Sequence, residues 1–133
     1  MIALALALQL TLSSVRVVDG DTLHDNRRQE DYRLAGIDAP ETGGRAACER
    51  EAALGEMARA RVEDLIAGAD LVVAIPDHDP RGRKRWPVDG FKRRLARIEV
   101  DGQDVGQILV AEYLAVIRDP DRPFDWCDGA EPR

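Results

Sequence analysis

Two acidic turns are the segments of this sequence best suited to chemistry. Residues 19–22 read Asp-Gly-Asp-Thr, and residues 38–41 read Asp-Ala-Pro-Glu. A predicted β-hairpin lies between them, and a hairpin returns the chain towards its starting point, so the two turns can face each other. Asp21, Asp38 and Glu41 would then share a small volume. Carboxylates crowded in this way have raised pKa values or hold a cation.

The donor atoms indicate which cation would suit these turns. Carboxylate oxygens are hard ligands, and neither turn contains a histidine or a cysteine. The pattern therefore favours calcium or magnesium over a transition metal. Each turn taken alone also fits ordinary turn chemistry, because Asp-Gly and Asp-x-Pro are common where a chain reverses. We assign no role to His24 or His78.

Two arginines complete the set of candidate groups. Arg33 stands next to apolar residues on the predicted returning strand, so its guanidinium needs an anionic partner, and it suits a phosphodiester because it donates two parallel hydrogen bonds. The five-residue spacing to Asp38 places the two side chains on opposite faces of the strand unless a twist or bulge intervenes, so a direct pair is not predicted. Arg93 comes from a distant strand. Two arginines, a carboxylate-bound cation and a glutamate are the parts needed to hydrolyse a phosphodiester.

Charge is distributed unevenly along the chain. The formal net charge is −6, yet residues 81–97 contain eight basic residues and one aspartate. The overall acidity argues against a protein that coats nucleic acid by net charge, whereas the basic segment predicts an anionic partner at one place. A solvated loop followed by a charged strand face is the alternative. No apolar run approaches the roughly 18 residues that span a bilayer, so we expect no membrane helix.

The pattern of short strands and two helices predicts an α+β domain. At 133 residues the chain has the length of one domain. A five-stranded barrel fits the order of the elements, and an apolar stripe on the long helix would face its core. We predict strands over 14–18, 32–37, 71–75, 91–100 and 115–117, and helices over 46–67 and 105–114 with Gly68 and Asp104 as caps. The stripe comprises Leu54, Met57, Ala58, Arg61, Val62 and Leu65.

The two ends of the chain leave alternatives open. Residues 1–13 are a strand, since large residues alternate with small ones, or a signal-peptide remnant, although a positive start is lacking. Cys48 and Cys127 form a disulfide in an oxidising compartment or remain two thiols. Their spacing does not fit a zinc site. Residues 118–133 form a tail rich in proline and aspartate.

Residues 18–22 (Val-Asp-Gly-Asp-Thr) and 33–42 (Arg-Leu-Ala-Gly-Ile-Asp-Ala-Pro-Glu-Thr) together resemble the thermonuclease, or staphylococcal nuclease, family. The resemblance extends over residues 14–117. It implies an OB-fold five-stranded β-barrel with one long and one short helix. It also implies a calcium-dependent endonuclease acting on DNA and RNA. We expect this enzyme to be a monomer that cuts single-stranded or loosened nucleic acid with little sequence preference. A secreted or periplasmic location is expected as well, because a non-specific nuclease is safest outside the cytoplasm.

The resemblance also assigns roles by position. Asp21 and Asp38 would bind Ca²⁺ through their carboxylates, and Ala39 would bind it through its main-chain carbonyl. Glu41 would act as general base or orient the attacking water. Arg33 and Arg93 would bind the phosphate in the transition state.

The sequence departs from the family pattern at several positions. The hairpin is short, and Asp25 stands where an apolar residue is common. Residues 89–93 read Asp-Gly-Phe-Lys-Arg, so Lys92 replaces a glycine and Arg94 is an alternative to Arg93. No tyrosine follows Leu114, so base stacking would use Phe91, Trp86 or Trp126. A non-catalytic OB-fold module that binds single-stranded nucleic acid or a protein is the alternative function, and a purely structural secreted domain is a third.

Overall fold

The computed structural model describes residues 7–10, 14–79, 81 and 86–132. None of the helices in these ranges is long and apolar enough to cross a membrane. In chain order the elements are β1 (Leu8–Gln9), β2 (Val15–Asp19), β3 (Thr22–Asp25), β4 (Glu30–Leu34), β5 (Ile37–Asp38), α1 (Glu49–Ala67), β6 (Val72–Pro76), β7 (Arg94–Val100), β8 (Gln103–Asp104), α2 (Val105–Ala111) and β9 (Val116–Ile117).

Five strands of four residues or more, β2, β3, β4, β6 and β7, form a curled sheet. Their order is β6-β7-β4-β3-β2. All neighbours are antiparallel except β4 and β7, which run parallel with Arg33 opposite Leu95. In an OB-fold, three strands in meander order pair in parallel with one strand of an antiparallel pair that follows the long helix. Here β2, β3 and β4 form the meander, and β6 and β7 form the antiparallel pair. The predicted α+β barrel with one long and one short helix is therefore confirmed.

The long helix α1 packs on the sheet along one face, on which Gly55 and Ala58 are the small residues. Its buried positions are Glu51, Gly55, Ala58, Val62 and Ile66, spaced three or four residues apart along one face. The predicted stripe is correct at Ala58 and Val62 but wrong at Met57, which is 59 % exposed. The close approach at the small residues leaves the larger neighbouring side chains at the margins of the contact.

Both helices are capped as the sequence predicts, but they are shorter. Gly68 ends α1, and the Asp104 carboxylate accepts a hydrogen bond from the Gln107 N–H at the start of α2. The first helix begins three residues after the predicted start, because Ala46 and Cys48 have extended backbones and Cys48 is the N-cap. The second ends at Ala111, and the chain turns away at Tyr113, whose φ is +62°.

The predicted strand over residues 32–37 is two strands. The chain bends at Gly36, where φ is +78°, a conformation that glycine adopts without steric cost. Beyond the bend β5 leaves the main sheet and pairs with β9, so that Asp38 lies opposite Val116. This bend sets the direction in which the second acidic turn faces.

A disulfide between Cys48 and Cys127 fastens the tail to the start of α1. Trp126 is buried beside it and packs edge-on against Phe124 with ring centroids 4.6 Å apart. At the other end Leu8–Gln9 pairs with β6. Residues 1–6 and 11–13, on which the choice between strand and signal remnant depends, lie outside the described residues, and the division of the chain at residues 13 and 117 stays a prediction.

Candidate active site

The turn between β2 and β3 lies directly against the second acidic turn. A Cβ atom on Gly20 would lie 2.8 Å from the Cβ atoms of both Ala39 and Ala58, so only glycine allows this approach. The Ala39 N–H donates a hydrogen bond of 2.8 Å to Asp21 Oδ2. Asp19 and Asp21 are both buried. The structure therefore brings the two turns together as the hairpin argument predicts.

Arg33 lies between the carboxylates of the two turns. Its Nη2 is 2.6 Å from Asp38 Oδ1 and 3.3 Å from Asp21 Oδ2, and its side chain is only 11 % exposed. Its Nη1 donates to the main-chain carbonyls of Leu34 and Ile37. The expectation that Arg33 and Asp38 face opposite ways is wrong, because the bend between β4 and β5 turns Asp38 back towards the guanidinium.

The carboxylates of this cluster are held in conditions that disfavour their charged forms. Burial, reinforced by the Asp19 carboxyl, raises the pKa of Asp21 to about 7, even though Arg33 acts in the opposite direction. Burial also raises the pKa of Asp38 and of Glu41. The negative charge of Asp21 raises the pKa of Glu41 further. The buried guanidinium of Arg33 and the exposed one of Arg45 do not balance the four acids of the cluster, so an additional positive charge would be favourable here.

Glu41 lies at the rim of the cluster. Its side chain is 42 % exposed, and its Oε2 is 3.8 Å from Arg45 Nε. Arg45 also lies 3.7 Å from Asp19 Oδ2, so it spans the opening between the two turns. The main-chain N–H of Glu41 donates a 3.0 Å hydrogen bond to Oε2 of Glu51 on α1. A carboxylate in contact with solvent at one edge of a buried cluster is suited to accept a proton from water.

Sequence reasoning missed Arg45, Glu51 and Gly55. Arg45 and Glu51 belong to no recognisable motif, and Gly55 reads as an ordinary helix position. Their spacing could have revealed Glu51 and Gly55, because they lie four residues apart on the predicted apolar face of the helix. Ala58 and Val62 lie on the same face. An acidic residue on a buried helix face implies a specific polar partner.

Arg93 is not part of the cluster in this structure. Its Nε donates a 2.7 Å hydrogen bond to Asp89 Oδ2, and its guanidinium lies 5.1 Å from the centre of the Phe91 ring. Within the described ranges no hydrogen bond or ion pair joins Arg93 to the acidic turns. The expectation that Arg93 lies on a strand is also wrong, because β7 begins at Arg94 and Arg93 belongs to the turn before it.

The segment before β7 keeps a tight turn despite its unusual sequence. Lys92, where the family pattern has a glycine, has a φ of +64°, so it adopts the left-handed backbone that glycine favours. Asp89 Oδ1 accepts hydrogen bonds of 2.9 Å from the N–H groups of both Phe91 and Arg93. This network stabilises the turn at a position where a side chain costs about 1 kcal/mol.

The alternative assignment of Arg94 is not supported. Arg94 pairs in register with Tyr32, and neighbouring residues on a strand face opposite ways, so Arg94 lies on the face away from Arg33. It forms an ion pair with Glu30 and lies 5.1 Å from the Trp86 ring centre.

Of the three candidate aromatic residues, Phe91 is the most open to a base. It is 81 % exposed, whereas Trp126 is buried. Trp86 packs edge-on against Tyr32 with ring centroids 5.7 Å apart. Asp25, which stands where the family pattern commonly has an apolar residue, is buried. Its carboxylate accepts hydrogen bonds from the main-chain N–H groups of Arg27 and Arg28.

Comparison with known proteins assigns the chain to a family. The family model described as "Staphylococcal nuclease homologue" matches residues 31–125, which is more than half of the chain. The chain therefore belongs to the staphylococcal nuclease family, a nuclease-like family with the OB-fold. None of the curated proteins matches the chain. The match includes Arg33, Asp38, Glu41 and Arg93 but begins after Asp21.

The fit of a calcium ion depends on the donor set. No group of three or more His, Cys, Asp or Glu side chains in the described part of the chain is arranged to hold a metal ion. Asp21 and Asp38, however, each place one oxygen within 3.3 Å of the same guanidinium nitrogen, and the main chain of Ala39 adjoins Asp21. Two carboxylates, one carbonyl and water match the oxygen ligands of calcium. Burial raises the pKa of Asp21, and a bound cation would favour its charged form, so the chemistry of the donor set fits this ion.

Proposed function

We propose that this chain is a calcium-dependent endonuclease that hydrolyses phosphodiester bonds of DNA and RNA. The arrangement of Arg33 supports the proposal most directly: a nearly buried guanidinium between two carboxylates, with a third carboxylate at the solvent-exposed edge. Family membership provides independent support, since the family is generally nucleolytic. A flexible single strand of nucleic acid fits such a site more easily than a stacked duplex. We therefore propose single-stranded substrates and little sequence preference.

Each residue of the cluster has a distinct role in this proposal. Asp21, Asp38 and the Ala39 carbonyl would hold calcium, which when bound adds positive charge against the phosphate oxygens. Arg33 donates hydrogen bonds to a non-bridging phosphate oxygen as negative charge grows on it. Glu41 orients the attacking water and accepts its proton. Burial raises its pKa and so makes it a stronger base than an ordinary glutamate.

Arg93 has a conditional role. In this structure its guanidinium is held by Asp89. A phosphate that approached Phe91 would compete with Asp89 for the same donors, because a guanidinium binds phosphate and carboxylate in the same planar geometry. We therefore propose that Arg93 exchanges Asp89 for the substrate when nucleic acid binds.

A secreted or periplasmic location and a monomeric state complete the proposal. The Cys48–Cys127 disulfide supports an oxidising compartment, because such bonds are rare where thiols are kept reduced. A nuclease with little sequence preference is also less harmful outside the cytoplasm.

Single-stranded DNA breakdown tests the proposal. The purified chain should degrade the strand with calcium and stop when a chelator is added. Glu41→Gln should abolish turnover while the far-UV circular dichroism and the thermal midpoint stay close to those of the wild type. Normal turnover in this variant would exclude Glu41 as the base.

The non-catalytic binding module remains the alternative, and the Asp89–Arg93 ion pair is the observation that favours it. A binding module would show an affinity for single-stranded DNA that falls with salt, but no product in either condition.

A further inference from the structure

Glu51 is a buried carboxylate whose two oxygens accept hydrogen bonds from two different segments. It is 8 % exposed, although it stands in the first turn of α1. Its Oε2 accepts from the Glu41 N–H at 3.0 Å, and its Oε1 accepts from the Ala47 N–H at 2.7 Å. These two donors are six residues apart, at opposite ends of the loop between β5 and α1. One side chain therefore fixes both ends of the loop that carries Glu41.

This arrangement differs from ordinary helix capping. A glutamate at the third helical position usually returns to the N–H of the capping residue itself. Here Cys48 is the cap, and its sulfur accepts from the Glu51 N–H at 3.4 Å. The Glu51 carboxylate passes over Cys48 and binds Ala47 and the more distant Glu41 instead. Its contacts therefore serve the loop more than the helix end.

The carbonyl side of Glu41 is held by the same helix face. A Cβ atom on Gly55 would lie 2.2 Å from the Glu41 carbonyl oxygen and 2.9 Å from that of Pro40. Gly55 and Glu51 are four residues apart, so they lie one above the other on α1. Helix α1 therefore contacts the main chain of Glu41 at two points: Glu51 accepts a hydrogen bond from its N–H, and Gly55 packs against its carbonyl oxygen.

We propose that Glu51 is a positioning residue that aims the Glu41 carboxylate at the Asp21–Asp38 cluster through the main chain of Glu41. Glu51 contacts neither substrate nor calcium in this proposal. The inference rests on the proposed nuclease function, because it assigns Glu51 a part in the same reaction.

The chemistry of Glu51 supports a positioning role over simple packing. Its carboxylate accepts a hydrogen bond from the main chain of Glu41, so it places a second negative charge close to the Glu41 side chain, where that charge is unfavourable. A neutral side chain of similar size would avoid this repulsion. What only a carboxylate supplies is two acceptor oxygens at once. Glutamine has a single acceptor oxygen, and its NH₂ group would face one of the two N–H donors.

Glu51→Gln tests the proposal by steady-state kinetics on single-stranded DNA at saturating calcium, well below the thermal midpoint. We expect kcat to fall about 10- to 100-fold, the scale of a misplaced catalytic group, with KM within about twofold. Glu49→Gln is the matched control, since it removes the same charge from the same helix turn at an exposed position. The control should keep wild-type kcat.

A double variant distinguishes positioning from general loss of structure. If Glu51 acts only through Glu41, the residual cleavage by Glu41→Gln/Glu51→Gln, followed at high enzyme concentration over long incubation, should be no slower than that by Glu41→Gln alone. A further drop equal to that of the single Glu51 variant would contradict the proposal.

Should Glu51→Gln fold poorly, Glu51→Asp keeps the charge but cannot span both donors, and it should show the same loss of kcat. Wild-type kcat in either well-folded Glu51 variant would overturn the positioning role and leave the nuclease function intact. An inactive wild type would overturn both.

Discussion

Arg33 and Asp38 form a 2.6 Å ion pair, although their five-residue spacing on one strand would separate them. The bend at Gly36 ends β4 and starts β5, and this change of direction returns Asp38 to the guanidinium. Asp21 Oδ2 lies 3.3 Å from the same nitrogen. The pair thus joins two acidic turns that come from different strands, and the predictions below follow from it.

Arg33→Lys should impair turnover without unfolding the protein. A lysine ammonium keeps the charge but loses the planar pair of donors that binds two oxygens together. We expect kcat/KM on single-stranded DNA to fall about 100-fold, the scale of one lost transition-state donor. Arg97→Lys, at a half-exposed position on β7, is the control and should be neutral. Equal rates for both variants would remove Arg33 from the phosphate-binding role.

Calcium binding should release protons below about pH 7. Because the pKa of Asp21 is raised to about 7 in the calcium-free protein, its carboxyl is largely protonated at pH 6, and a bound cation requires the charged form. Calorimetric titration at pH 6 in two buffers of different ionisation enthalpy should give different heats. At pH 9 the difference should vanish. Identical heats at pH 6 would mean that Asp21 does not bind the ion.

Asp21→Asn should stabilise the calcium-free protein at high pH. The folded pKa of Asp21 lies above the ordinary value of 3.8, so the folded state binds a proton that the unfolded chain releases. Stability attributable to Asp21 therefore falls as pH rises from about 4 to about 7. In denaturant unfolding with chelator present, the variant should gain over the wild type across this range and hold its advantage above it. A constant difference between the two proteins would contradict the burial of this charge.

Gly20→Ala should disrupt the contact between the acidic turns. The added methyl group would lie 2.8 Å from Ala39 and Ala58, so the turn or α1 must shift, at a cost of about 1–3 kcal/mol. Calcium affinity should fall as well, because Asp21 follows directly. Gly44→Ala is the matched control, since nothing lies within 4 Å of that added atom. Chemical denaturation and calcium titration of both variants measure the difference.

Removing the disulfide should lower stability more than activity. Cys48 and Cys127 are 79 residues apart, and a cross-link of that length contributes about 4 kcal/mol in the chain-entropy model. The Cys48→Ser/Cys127→Ser double variant should therefore unfold about 10 °C or more below the wild type. Reductant should lower the midpoint of the wild type and leave that of the double variant unchanged. A wild type insensitive to reductant would exclude a stabilising role for the bond.

Residue types and local spacing were enough to predict the donor atoms of the candidate site and part of the local structure. The residue types at Asp21, Asp38 and Glu41 specify hard oxygen donors whatever surrounds them. Helix ends were predictable at Gly68 and Asp104, because capping depends on residues within one turn. The paired motifs were sufficient to indicate the family and its OB-fold barrel, both of which are confirmed.

The way in which these groups are held depends on contacts between segments that are far apart in the chain. The Arg33–Asp38 pair requires a bend whose partner strand, β9, lies some 80 residues away along the chain. Glu51 accepts a hydrogen bond from Glu41 because Gly55 and Gly20 allow α1 to approach both acidic turns. Arg93 is held by Asp89 across a turn in which Lys92 has a positive φ. Such contacts follow from close packing between distant segments. Spacing along the sequence encodes faces and turns, but it does not encode which surfaces meet.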